Sequence, residues 1–316
     1  MTPTSIPGTD LTVHPICLGL GDFGTRVAGE AALRLFEGFV AAGGNFVDTA
    51  HCYGFWVPDG LGASERQLGE CLRRLGGREQ VVIATKGGHP DGGEDYPRPD
   101  QYLAPVVVSC DIDDSLDRLG IETIDLYLLH RDDPRVPVGE VIEMLNSEVA
   151  RRRIRYLGAS NWSTARIAAA NEYAAAHGRR GFCVSQVHWS LAEPKWEIGP
   201  DPTMRHVTVA DAAWHEASGL PVMAYSSSAG GYFAGRAEES YGTPTNAARR
   251  ERARELARDL GATPAQVALA YLLGQPFPVY PIVGALDEAH LAEAMGAAEI
   301  RLQPAQVRWL RDGDRP

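Results

Sequence analysis

Asn45-Phe46-Val47-Asp48-Thr49-Ala50-His51-Cys52-Tyr53-Gly54 opens as an apolar strand and closes in a glycine turn. At its end it sets a carboxylate, Asp48, and five residues later a phenol, Tyr53. Ionisable groups at the end of a buried strand serve packing poorly and chemistry well. The pattern recurs. Val81-Val82-Ile83-Ala84-Thr85-Lys86 closes on a lysine, and Ile124-Asp125-Leu126-Tyr127-Leu128-Leu129-His130 closes on a histidine. In a parallel β/α barrel all strand C-termini meet at one mouth, so Asp48, Tyr53, Lys86 and His130 are expected to converge there.

The rest of the chain repeats that unit. Short apolar strands are expected at Pro15–Leu20, Asn45–Thr49, Val81–Thr85, Ile124–Leu129, Arg155–Ala159, Cys183–His188, Val222–Tyr225 and Val279–Val283. Helical patterns follow at Glu30–Ala42, Ser64–Leu75, Gln101–Leu119, Val138–Arg152, Thr164–His177, Val207–Ser218, Ala247–Leu260 and Glu288–Met295. Eight such repeats predict an α/β fold, a (β/α)8 TIM barrel, in one domain spanning residues 1–316. Ser5–Val13 reads as a hairpin plugging the barrel bottom. Thr263–Leu273 and Gln303–Leu310 read as extra helices, the former with a threonine cap and a proline in its first turn. Longer loops after the second, third, sixth and seventh strands all fall at the expected mouth.

Composition narrows the function. The net charge of −11 excludes a general nucleic-acid or anionic-membrane surface. The arginines at 151–153 and 155 read as a solvated helix end. No secretory leader and no apolar run near membrane-spanning length is read. The five cysteines are scattered, odd in number and without a C-x-x-C pair, which suits reduced thiols in a cytoplasm. No convergent ligand set points to a metal: His89 reads as a solvated loop side chain and His188 as a core or loop-ordering residue. Gly19-Leu20-Gly21-Asp22-Phe23-Gly24 lacks the βαβ spacing and acidic partner of a dinucleotide fingerprint.

A lone tyrosine titrates near ~10, too high for ready proton exchange at neutral pH. A lysine beside it favours the phenolate, and an aspartate holds that lysine in place. A histidine facing the same point can orient a substrate oxygen. These are the parts of a metal-free proton-transfer site. Phe55 and Trp56, just past Tyr53, are expected as a substrate wall, with Trp162 and His51 as further contacts.

On these residues the chain resembles the aldo-keto reductases, whose tetrad matches Asp48, Tyr53, Lys86 and His130. Gly158-Ala159-Ser160-Asn161-Trp162 is similar to the family segment that holds the nicotinamide carboxamide, through Ser160 and Asn161. Gln186 matches the glutamine sharing that task, and Tyr225, followed by Ser226, the aromatic that stacks on the ring. Contacts to the rest of the cofactor are implied at Gly284, His290 and Glu293. The resemblance implies hydride transfer between NAD(P)H and an aldehyde, ketone or sugar-like carbonyl, with Tyr53 as the acid. It also raises an alternative, since some members are redox-sensing subunits of membrane proteins.

The chain departs from the family after its last strand. NADP-specific members carry lysine or arginine around the positions of Leu286, Asp287 and His290, so NADP, the family default, competes with NAD here. A carboxylate about 6 Å from a phosphate costs roughly 1–3 kcal/mol before salt screening. The expectation is a weak or reversed preference for NADPH that rises at lower pH through His290, unless Arg236 swings in. A small carbonyl or sugar-like substrate is expected, with no nucleic-acid or membrane partner and an oligomeric state left open.

Overall fold

The computed structural model describes residues 3–93, 96–195 and 203–314. Eight parallel strands close on one another: β3 (Cys17–Gly19), β4 (Phe46–Asp48), β5 (Val82–Gly87), β6 (Ile124–Leu129), β7 (Ile154–Ser160), β8 (Phe182–His188), β9 (Val222–Tyr225) and β10 (Val279–Gly284), with β10 pairing back onto β3. A two-stranded antiparallel hairpin, β1 (Thr4–Ser5) and β2 (Thr12–Val13), precedes them. Its Ile6, Leu11 and Val13 are buried in one cluster with Cys17, Phe46, Ala84, Leu126, Val184, Met223 and Tyr280, so the hairpin does plug the barrel floor.

That cluster explains the mouth. Side chains along a strand alternate between barrel interior and helix layer. Phe46, Ala84, Leu128, Val184 and Met223 fill the interior. Two residues on, the same inward row continues as Asp48, Lys86, His130, Gln186 and Tyr225. The apolar core therefore ends where the polar layer begins.

Around the barrel pack α1 (Gly29–Ala41), α2 (Ala63–Leu75), α3 (Pro105–Leu119), α4 (Val138–Ala150), α5 (Thr164–Ala176), α6 (Val209–Ser218), α7 (Glu238–Tyr241), α8 (Pro244–Leu260), α9 (Pro264–Leu273), α10 (Glu288–Gly296) and α11 (Pro304–Asp312). Two helix starts differ from expectation for the same reason, a proline. Ala104 precedes Pro105 and is extended, at φ −60° and ψ 142°, so α3 begins at Pro105 rather than Gln101. Helix α8 begins at Pro244, capped by Thr243 accepting from the Asn246 amide. Thr263-Pro264 opens α9 in the same way, with a full capping box through Gln266.

Three of the four arginines after α4 are paired with acids. Arg151 and Arg153 pair with Glu148, and Arg155 with Asp10 and Asp125. Among the described residues no helix is long and apolar enough to cross a membrane. The expected loop after the sixth strand, 191–203, lies largely outside the described residues, as do positions 94–95 of the loop after the third.

Candidate active site

Lys86 lies at the centre of the polar layer, wholly buried. Its Nζ donates to Asp48 Oδ2 at 2.7 Å, to the Thr49 carbonyl at 2.7 Å and to the Tyr53 hydroxyl at 3.0 Å. Three acceptors use all three ammonium protons, so the charge is fixed in direction as well as place. Burial alone would lower the lysine's pKa; Asp48, then Tyr53, outweigh it and hold the ammonium well above its ordinary range. Burial also pushes Asp48 up, against Lys86 and Gln186, whose Nε2 donates to Asp48 Oδ1 at 2.7 Å.

Tyr53 differs from the sequence expectation in one respect. Burial raises its pKa, Lys86 opposes that, and Asp48 adds to the rise. The group is therefore held as a phenol, ready to donate, rather than as a phenolate. His130 faces it edge-on, with ring centroids 5.7 Å apart. Burial, then Arg131, His89 and Lys86, depress the imidazole far below its usual value, so it is neutral. A neutral imidazole can donate one hydrogen bond to a reacting oxygen without bringing a charge.

The segment carrying Tyr53 is braced from behind. Gly54 sits at φ 101°, and a Cβ there would lie 2.1 Å from the Gly60 carbonyl oxygen. Only glycine takes the turn. His51, expected at the substrate, instead points back: its Nε2 lies 3.0 Å from Asp114 Oδ2. Arg118 donates to the His51 carbonyl and to Glu65, and Glu65 accepts from Thr85 on β5. Arg98 forms a two-pronged pair with the fully buried Asp111, which also accepts from the Gly88 amide. This ionic frame was missed from sequence. Glu65, Asp111, Asp114 and Arg118 lie on α2 and α3, where charged residues ordinarily read as a solvated face, and Arg98 lies in the loop between β5 and α3.

A cavity of about 480 Å³ opens in front of Tyr53, lined by Cys52, Tyr53, Phe55, Trp56, His89, Pro90, Asp91, His130 and Arg131. Phe55 and Trp56 stand on its wall. Trp162 does not reach it: the ring is buried against Phe182 and donates from Nε1 to the Arg131 carbonyl at 3.3 Å. His89 overturns its expectation. It is buried, stands 4.7 Å from the His130 ring and is fixed through Nδ1 to the Asp91 carbonyl. Arg98 ties its carbonyl down as well, so a loop residue next to glycine and proline becomes part of the site. His188 is the ordering residue expected, with Nε2 3.0 Å from the Tyr241 hydroxyl.

The residues expected at a cofactor lie along the other side of the mouth. Asn161, in the left-handed region at φ 62°, donates to the His130 carbonyl and to Ser160, and accepts from Tyr225 at 2.8 Å. It thus ties β7, β9 and the end of β6 together. A second cavity of about 390 Å³ is lined by Asp22, Arg26, Ser228, Arg236, Gly284, Leu286, His290 and Glu293, among others. Gly284, His290 and Glu293 line it together; Ser226 is exposed, and Ser228, two residues on, lines the cavity. Arg236 already stands in the cavity, its Nη1 3.3 Å from His290 Nε2. Asp287 is turned to the start of α10, accepting from the His290 amide at 2.9 Å and pairing with its ring at 3.0 Å. Two guanidiniums on a cavity that reaches the end of β10 could hold the phosphates of a dinucleotide.

The Aldo/keto reductase family model matches residues 15–313. The chain belongs to that family. This aldo-keto reductase is 30% identical to the uncharacterized oxidoreductase YrpG of Bacillus subtilis (strain 168), over 99% of the chain and 95% of the relative. It is 30% identical to an aryl-alcohol dehydrogenase [NADP(+)] of Phanerodontia chrysosporium, over 97% of the chain and 84% of the relative. It is 29% identical to the norsolorinic acid reductase stcV of Emericella nidulans (strain FGSC A4 / ATCC 38163 / CBS 112.46 / NRRL 194 / M139), over 97% and 79%. The thermostable aldo-keto reductase Tm1743, solved with the inhibitor epalrestat, shares the fold at TM-score 0.74 and 22% identity, covering 98% of this chain and 99% of that one. The aldo-keto reductase described here is an NAD(P)H-dependent oxidoreductase acting on small carbonyl compounds.

Proposed function

We propose that the protein reduces aromatic aldehydes, with Tyr53 as the proton donor and NADPH as the preferred cofactor. The observation that carries the reading is the buried Asp48–Lys86–Tyr53 relay opening onto a ring-lined cavity. When bound, NADPH supplies the hydride. The Tyr53 hydroxyl and the neutral His130 ring face the point where the carbonyl oxygen would lie, so both can hydrogen-bond it and Tyr53 can release its proton there. Lys86 stabilises the phenolate left behind, a charge that exists only after that transfer, so its effect falls on the transition state rather than on substrate binding. Asp48, itself held by Gln186, keeps the ammonium in position.

The substrate class follows from the cavity wall. Phe55, Trp56, His89 and His130 offer ring faces and edges, which suit a flat aromatic substrate. Few polar residues there would favour a sugar: His51 is committed to Asp114, which leaves Asp91 and Arg131 as the charged residues on the lining. The names of two relatives, an aryl-alcohol dehydrogenase and a norsolorinic acid reductase, lean the same way. Relatives named as dehydrogenases and reductases also favour turnover over the regulatory-subunit reading.

For the cofactor, Arg236 and Arg26 on the second cavity support binding of a 2′-phosphate, and the commitment of Asp287 to its helix start reduces the repulsion expected from sequence. Steady-state assays with benzaldehydes, aliphatic aldehydes and aldose sugars, each with NADPH and NADH at pH 6 and pH 8, test the whole reading. The highest kcat/KM is expected for an aromatic aldehyde with NADPH at both pH values. A best substrate among the sugars, or equal use of NADH, would overturn the corresponding part.

A further inference from the structure

We propose that Cys52, His89 and His130 form an inhibitory zinc site on the wall of the substrate cavity. The inhibition rests on the catalytic reading above; the binding does not. One ligand atom from each of the three side chains lies within 4.8 Å of the others, and all three residues are buried and line the same cavity. One pair is already in contact, Cys52 Sγ 3.5 Å from His130 Nδ1. Zinc–ligand bonds of about 2.0–2.3 Å in a tetrahedron place ligand atoms roughly 3.4–3.7 Å apart. Side-chain rotations of about 1 Å would therefore close the site, with a fourth position open to the cavity.

The donor set suits a borderline-soft ion: one thiol and two imidazoles are zinc ligands, whereas magnesium and calcium require oxygen. Burial holds the Cys52 thiol protonated, with a pKa pushed up to about 12, and keeps His130 neutral. Zinc binding forms the Zn–S bond and releases the thiol proton to solvent; no electron changes hands. His89 is aimed by the Asp91 and Arg98 contacts to its loop, so two of the ligands need little ordering. Arg131 on the same cavity opposes a cation, and Asp91, also on its lining, carries the opposite charge. A bound ion would pull the His130 imidazole toward Cys52, away from Tyr53, and occupy the space a carbonyl needs.

The test uses the full chain, stripped of metal and free of cofactor, in a Cys110→Ser background that removes the exposed thiol. Zinc sulfate is titrated in competition with a chromophoric chelator. One equivalent is expected to bind, and Cys52→Ala and His89→Phe are each expected to weaken it about a hundredfold or more. Cobalt chloride gives a second readout: a thiolate-to-cobalt charge-transfer band and tetrahedral d–d bands, the former lost in Cys52→Ala. In the activity arm, zinc should inhibit competitively against the aldehyde. Unchanged zinc affinity in Cys52→Ala, or no thiolate band with cobalt, would overturn the site. Tight binding at Cys52 without inhibition would uphold the site and overturn its inhibitory role.

Discussion

Replacing Lys86 with methionine removes a group that touches Asp48, Thr49 and Tyr53 together. At the 3.0 Å separation of Nζ from the Tyr53 hydroxyl, an effective dielectric near 20 gives about 5.5 kcal/mol of attraction for a full phenolate charge. That corresponds to about four decades in rate. Asp48, 2.7 Å from the same nitrogen, cancels part of the field, so the expected loss in kcat is about 10³-fold. Stability should fall as well, because Asp48 would remain buried with Gln186 alone; breaking such a pair costs about 3–5 kcal/mol. In a chain of 316 residues that lowers Tm by about 5–8 °C. The assay is single-turnover reduction of an aromatic aldehyde, followed by loss of NADPH absorbance, with cofactor affinity measured separately by fluorescence quenching. A variant that keeps kcat within tenfold of the parent, or that loses activity only through weakened cofactor binding, would refute the relay.

Arg236→Ala should raise KM for NADPH by about 10- to 100-fold and leave KM for NADH nearly unchanged, as expected for loss of one charge-assisted contact to the 2′-phosphate. Equal effects on both cofactors would place Arg236 elsewhere. His188 is depressed by burial to about 4, so below its ordinary value the unfolded chain takes up a proton that the fold refuses. Stability should therefore fall by about 2 kcal/mol between pH 7 and pH 5 from this residue alone, and His188→Gln should flatten that part of a urea-denaturation profile. Dialysis against a strong chelator should leave kcat unchanged or raise it, because no step uses a metal and the proposed zinc site only obstructs. A loss of rate restored by zinc would contradict both statements.

The barrel was legible because its strands are short, apolar and separated by helical patterns, and because polar groups interrupt the apolar row at its end. The same alternation that puts Phe46 in the core puts Asp48 at the mouth. Helix starts at Thr243-Pro244 and Pro105 were shifted by three or four residues in the reading, although proline signals both. What sequence could not give was direction. His51 and His89 are both histidines near a strand end, and the reading sent the first to the substrate and the second to solvent. The structure reverses them, because Asp114 and Arg118 on α3 draw His51 and its segment backward, while Arg98 and Asp91 fold His89 inward. Partners distant in the chain decide such cases. The aromatics after the strand ends divide similarly: Trp56 is half-exposed at the cavity, whereas Trp189, Tyr232 and Phe233 pack into the core beneath α8 and α9.

The central claim is that Tyr53 delivers the proton. Tyr53→Phe removes the hydroxyl that Lys86 holds and leaves the ring, the cavity and the cofactor contacts at Ser160, Asn161, Gln186 and Tyr225 in place. Single-turnover reduction of an aromatic aldehyde by NADPH, measured beside the parent protein, should slow by about 10³-fold or more, while the Kd for NADPH stays within about threefold. A Tyr53→Phe protein that reduces the aldehyde within tenfold of the parent rate would contradict the account.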